Sequence, residues 1–289
     1  MDETTLGAYL RRIGAERPAA PTAAALGDLH IRHLHTIPFE NLDLHLGGQQ
    51  ISLAEKDLLA KLLDGERGGV CYELNGSFGA LLRALGYRVR FLSARVYMED
   101  GAAGIPYGHL ALLVETSDGQ RLLADVGFGD HFHHPIAFDE RGDQRDPAGV
   151  FRIVPAEDGE GAGTAAGSGT GTAEDAPDHP AGGDLVVLND GKPVYRIDTR
   201  PRAMDEFTAA AWWTGTSPDS PFTRAPLCSR VTESGGRATI SGRRLITTPT
   251  ADGERTVRVI EDDAELLASY HELFGVRLPR LPDRTDAPR

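Results

Sequence analysis

Cysteine occurs only twice in the 289 residues, at positions 71 and 228. Two cysteines cannot build a disulfide framework, and in a reducing compartment both stay thiols. Long apolar runs are missing as well. The longest are five residues, such as LALLV at 110–114, far short of the roughly 20 that span a bilayer. The opening MDETTLGAYL is acidic and lacks the charged-then-apolar order of an export signal. The expected location is the cytoplasm, with no membrane partner. Positive charge is in deficit too: the formal net charge is −13. So acidic a chain is a poor nucleic-acid binder, because that binding rests on neutralising phosphates. Seven acids and no Lys or Arg lie in residues 157–184, and the few lysines (3, against 27 arginines) hint at a GC-rich bacterial genome. An anionic ligand therefore needs local arginines.

Hydrophobic content is 40%, enough for a sizeable core. Up to residue 85 the apolar spacing is helical. Leu6, Tyr9, Leu10 and Ile13 share one face, and Leu58, Leu59, Leu62 and Leu63 share another. Ser52 and Glu55 have the spacing of a capping box ahead of that second helix, and Gly65 follows it. A third face, Leu74, Phe78, Leu81, Leu82 and Leu85, ends at Gly86. From Tyr87 the period changes to strands, with YRVRFLSARVYM, HLALLVET and QRLLADVGF in succession. Residues 157–184 are rich in glycine and acids and too poor in apolar side chains to offset ordering entropy; they read as a disordered insertion. Further strands, a helix at MDEFTAAAWWTG, the loop TSPDSPFTRAPLC and a closing helix DAELLASYHELFG complete the chain.

Cys71 stands behind the Gly68–Gly69 pair and at the start of a helix. Free N–H groups at a helix N-terminus favour a thiolate and can hold an oxyanion. The plainer alternative is a buried structural thiol, which is the reading for Cys228. A nucleophilic cysteine needs an imidazole base and a group to orient it. His109 interrupts the apolar pattern of one strand and Asp125 that of the next, and a short turn joins the two. A three-residue loop, Ser117–Gly119, sets opposed residues to sum to 236 and puts both side chains on one sheet face. A two-residue loop puts them on opposite faces. A structural Asp–His bond without catalysis is the alternative. DHFHH at 130–134 offers His131, His133 and His134 to a metal, but adjacent loop histidines are more often solvated, and no metal is expected. Trp212 and Trp213 read as packing. The glycine-rich stretch at 161–169 lacks the strand and the lysine of a nucleotide loop.

HTIPFENL (35–42), RGGVCYELN (67–75), GHLALLV (108–114) and ADVGFG (124–129), in this order, strongly resemble the arylamine N-acetyltransferases. The resemblance is densest over residues 1–150. It implies an α+β, cysteine-protease-like fold in three parts: a helical bundle over 1–86, a central β-barrel over 87–200 and an α/β lid over 201–289. It implies a triad of Cys71, His109 and Asp125, supported by Arg67, Glu73 and Asn75. It places Phe39 and Phe128 on the acceptor pocket and Ser220 and Phe222 near the cofactor. Two features depart from the pattern: the 157–184 insertion, and Asp219 and Pro221 where hydroxyl residues are common.

The expected activity is ping-pong transfer of an acetyl group from acetyl-CoA, a co-substrate and not a resident cofactor, to an arylamine or arylhydrazine. Two rivals share the nucleophile: a macrolactam-forming amide synthase, which a wide cleft favours, and a cysteine hydrolase, which a solvent-open site favours. A homodimer stays open.

Overall fold

The computed structural model describes residues 1–47, 50–156, 183–249 and 254–283. The expected insertion lies almost wholly outside the described residues, which resume at Gly183.

The N-terminal region contains helices α1 (Glu3–Arg12) and α2 (Ala23–Thr36), the short strand β1 (Phe39–Glu40), a 3-10 turn (Leu42–His45), and helices α3 (Glu55–Leu63) and α4 (Cys71–Ala84). Asp2 and Thr22 cap the first two helices with side-chain oxygens, as short polar residues at that position do. The expected capping box at Ser52 and Glu55 does not form. Ser52 Oγ instead donates to Asp57 and accepts from the Ala54 N–H, and Glu55 pairs with the chain's amino terminus. The carboxylate that does reach back to a helix start is Glu73, whose Oε2 accepts from the Val70 N–H at 2.9 Å.

Eight antiparallel strands follow: β2 (Arg88–Val96), β3 (His109–Glu115), β4 (Arg121–Ala124), β5 (Ile136–Ala137), β6 (Gln144–Asp146), β7 (Gly149–Pro155), β8 (Leu185–Asn189) and β9 (Lys192–Arg202). They form one sheet in the order β5-β4-β3-β2-β9-β8-β7-β6. Then come α5 (Thr208–Thr216), α6 (Pro221–Arg224), β10 (Leu227–Val231), β11 (Arg237–Ser241), β12 (Arg244–Thr248), β13 (Thr256–Val259) and α7 (Asp263–Phe274). This is the α+β architecture expected: helices, a barrel-like sheet, then a smaller sheet with its helix. The smaller sheet runs β1-β10-β11-β12-β13, so Phe39 and Glu40 pair with Ser229 and Cys228, far away in the sequence.

Strand β3 explains its unbroken apolar run by burial on both faces. Leu110, Leu112 and Val114 pack with the helices, while Ala111 and Leu113 face the core that holds Phe132, Phe151 and Tyr195. Its hairpin with β4 pairs Leu112 with Ala124 and Glu115 with Arg121, a sum of 236. The loop is the odd-length one: the Thr116 N–H donates to Gln120 O, and Gly119 takes φ +80°. That conformation is cheap for glycine and costly for most other residues.

Candidate active site

The register delivers its consequence at the strand ends. His109 Nε2 lies 2.7 Å from Asp125 Oδ2, both side chains buried. With Nε2 engaged, Nδ1 is the ring nitrogen left for Cys71, and a hydrogen bond to Cys71 is among the contacts that favour charge on the ring. Burial opposes a charge on His109, but Asp125, with Cys71 adding to it, outweighs this and pushes the imidazole up to about 10. Burial likewise disfavours the Asp125 carboxylate, and His109 outweighs that, holding the carboxyl down near 2. Both shifts describe one buried ion pair.

Asn75, one turn after Cys71 on α4, clasps this pair to the helix. Its Nδ2 donates to Asp125 Oδ1 at 2.8 Å and to Leu110 O at 2.6 Å, and its Oδ1 accepts from the Val126 N–H. The Gly127 N–H adds a second donor to Asp125 Oδ1. From the sheet interior Tyr195 reaches both Asp125 and His131, the latter at 3.1 Å.

A chain of buried and half-buried charges fixes the backbone before Cys71. Arg67 forks onto Glu40 with two bonds of 2.7 Å and contacts Asp43 with its remaining nitrogen. Lys61 bridges Asp43 and Glu73 at 2.9 and 2.8 Å. Glu40 also accepts from the Gly68 N–H, and Glu73 from Val70 as described. Burial opposes the charge on Lys61, yet Glu73, Glu40 and Asp43 together raise its pKa. Close approach, and not a special φ, accounts for the first glycine of the pair: a Cβ at Gly68 would stand 1.9 Å from the Pro38 carbonyl oxygen. Arg67 and Glu73, expected as supporting residues, thus act on the loop through Glu40, Asp43 and Lys61. Sequence spacing does not reveal those three partners, although Glu40 lies inside the quoted HTIPFENL segment.

Cys71 and His109 open on a cleft of about 340 Å³. Phe39 and Phe128 line it, with Val96, Met98, Ile105, Trp213 and Phe222. Phe128 stands edge-on to the His109 ring at 5.3 Å, and Phe222 packs 5.9 Å from Phe39. Ser220 is elsewhere: it is fully buried, with Oγ donating to Thr214 O and accepting from the Phe222 N–H. It shapes the loop and leaves Phe222 on the cleft wall.

Three further expectations change. Trp213 is a wall of the cleft and Trp212 is 60% exposed, so neither is simply core packing. In DHFHH, His131 and His133 are buried, not solvated, and burial keeps both rings neutral, His131 down to about 3. Among the described residues no group of three or more His, Cys, Asp or Glu is arranged to hold a metal. Cys228 lies in strand β10, at the end of the stretch TSPDSPFTRAPLC expected as loop. It is fully buried, and burial together with Glu40 pushes its thiol well up.

A family model described as N-acetyltransferase matches residues 22–282. The arylamine N-acetyltransferase of Mycolicibacterium smegmatis is 31% identical over 284 residues, covering 96% of this chain and 94% of its own. The chain belongs to the arylamine N-acetyltransferase family. Solved structures of the family agree in fold. The Nocardia farcinica arylamine N-acetyltransferase superposes with a TM-score of 0.78 at 32% identity, over 95% of this chain and 90% of that one. The Mycobacterium marinum enzyme in complex with CoA gives 0.76 at 28% identity, over 94% and 92%.

Proposed function

We propose that this N-acetyltransferase moves an acetyl group from acetyl-CoA to an arylamine or arylhydrazine through an acetyl-Cys71 intermediate. The observation that carries the proposal is the contact of Cys71 with a buried His109–Asp125 ion pair at the foot of an aromatic-lined cleft.

In the resting pair His109 holds the proton given up by Cys71, and Asp125 stabilises this imidazolium and fixes the ring. The thiolate attacks the thioester carbonyl. The oxyanion forms beside the first-turn N–H groups of α4. The carbon–sulfur bond to CoA breaks, and the leaving sulfur takes the proton from His109 as free CoA. An amine then enters and attacks the acetyl-cysteine carbonyl. Its proton passes to His109, the amide leaves, and the thiolate–imidazolium pair is restored. Thioester exchange is nearly balanced, and amide formation draws the sequence forward. The apolar walls limit water, which would otherwise hydrolyse the intermediate.

Cleft size separates this reading from the amide synthase. A volume of about 340 Å³ suits a small planar acceptor better than a folded polyketide chain. Intact-mass analysis after incubation with acetyl-CoA alone tests the proposal. The expected result is one acetyl adduct on Cys71 that disappears when an arylamine is added and is absent in Cys71→Ser. No adduct, or one on Cys228, would overturn it.

A further inference from the structure

We propose that Asp219 sets the charge preference of the acceptor cleft, favouring neutral or cationic amines over those bearing a carboxylate. The inference rests on the acetyl-transfer reading and narrows its substrate class. Among the described residues that line the cleft, only Cys71, His109 and Asp219 carry ionisable side chains. In the acetyl-enzyme Cys71 is an uncharged thioester. His109 and Asp125 then sum to zero or to one negative charge, according to the proton on the ring. No positive excess remains to receive an anion, and Asp219 adds a negative charge at the wall.

The position of Asp219 is fixed by its backbone. Its N–H donates to Ser217 Oγ at 3.2 Å, and its carbonyl accepts from Arg224 Nη2 at 3.2 Å. The next residue ties the loop to α5 through Ser220 Oγ and Thr214 O at 2.7 Å. Arg224 is the nearby cation. It bonds the backbone carbonyl of Asp219 and does not line the cleft. The remaining walls, including Val96, Met98, Ile105, Trp213 and Pro221, are apolar, so the exposed Asp219 carboxylate at the rim is the negative charge that an entering amine passes. Repulsion between two unit charges about 8 Å apart, at intermediate dielectric, corresponds to roughly fivefold in a rate constant.

The test compares 4-aminobenzoate with 4-aminobenzamide, which differ mainly in charge. In a ping-pong reaction kcat/KM for the amine reports only the acetyl-enzyme step, and the ratio of the two amines cancels effects on acetyl-CoA. Asp219→Asn should raise the benzoate-to-benzamide ratio about fivefold. Added salt should raise the ratio in the parent protein and leave it flat in the variant. A second measurement needs no acetyl transfer: alkylation of Cys71 by 4-(bromoacetamido)benzoate relative to the corresponding benzamide. Asp219→Asn should favour the anionic reagent by a similar factor. If neither amine is acetylated, the acetyl-transfer reading fails while the alkylation ratio still decides the role of Asp219. An alkylation ratio the same in both proteins, or an acetylation ratio unmoved by the variant and by salt, would overturn the proposal.

Discussion

Cys71 and Cys228 are both buried, at 6% and 0% exposure, yet their surroundings are opposite. Cys71 begins α4, contacts an imidazole that Asp125 holds charged, and borders a cleft. Cys228 lies mid-strand in β10, packed in one cluster with Leu42, Ile240 and Tyr270, where burial first and the nearby Glu40 carboxylate second disfavour a thiolate. Exposure does not separate the two thiols; their partners do. The comparison also shows how one acid serves two sites. Glu40 braces Arg67 and the loop before Cys71, and the same charge helps to keep Cys228 protonated.

The comparison breaks most sharply at the thiols themselves. Cys71→Ser should lower acetyl transfer by at least about 10⁴-fold, as loss of a nucleophile does, with the far-UV spectrum and melting temperature little changed. Cys228→Ser should keep the turnover number within a few-fold. Comparable losses in both variants would erase the distinction.

Asp125→Asn probes why the partners matter. It leaves Asn75 and Gly127 in place but removes the charge that holds the His109 proton. Turnover should fall about 10³–10⁴-fold in a folded protein. Near-parental turnover would make the buried pair structural.

Acid sharpens the contrast between His109 and the other buried histidines. Burial pushes His30 down to about 4 and His33 and His131 to about 3. Their folded pKa values lie below the unfolded value near 6.5, so the unfolded chain takes up protons first as pH falls. The stability that goes with keeping these rings neutral is intact above about pH 6.5. It is lost toward pH 4 at up to about 4 kcal/mol per pH unit for three protons. His109, pushed up to about 10, contributes nothing to that loss: a raised pKa gives stability that is fully present below about pH 6.5 and is lost only as pH rises. Neither ring nitrogen of His33 has a hydrogen-bond partner among the described residues. His33→Leu should therefore reduce the acid slope by one proton's worth, roughly 1.4 kcal/mol per pH unit, in urea melts taken across pH. An unchanged slope would place the acid sensitivity elsewhere. The smallest effect belongs to Cys228→Ala, a cost of about 1–2 kcal/mol in the same urea melts, from a minor cavity under β10.

Much of the site was legible because local rules point to it. A turn of odd length with Gly119 in the left-handed region fixes the register that joins His109 to Asp125, and helical period places Cys71 at the first turn of α4. The pairing of β1 with β10 was not legible, since a two-residue strand has no period and its partner lies nearly 190 residues away. The charge chain through Lys61, Asp43, Arg67 and Glu40 was hidden for the same reason: spacing along one helix does not report contacts between elements. Ser52 and Glu55 had the letters of a capping box, but α3 starts later and their side chains found other partners. The burial of His131 and His133 was missed because it comes from the packing of the sheet interior, not from neighbouring residues in sequence.

The central claim, that partners and not exposure select the reactive thiol, is tested most directly by one measurement. Native protein is treated with a limiting neutral alkylating reagent, and the rate of labelling at each cysteine is read by peptide mass mapping, in the parent and in Asp125→Asn. Cys71 should react at least about 10²-fold faster than Cys228 in the parent, and the gap should shrink in the variant. Equal rates, or faster labelling of Cys228 in the folded parent, would contradict the account.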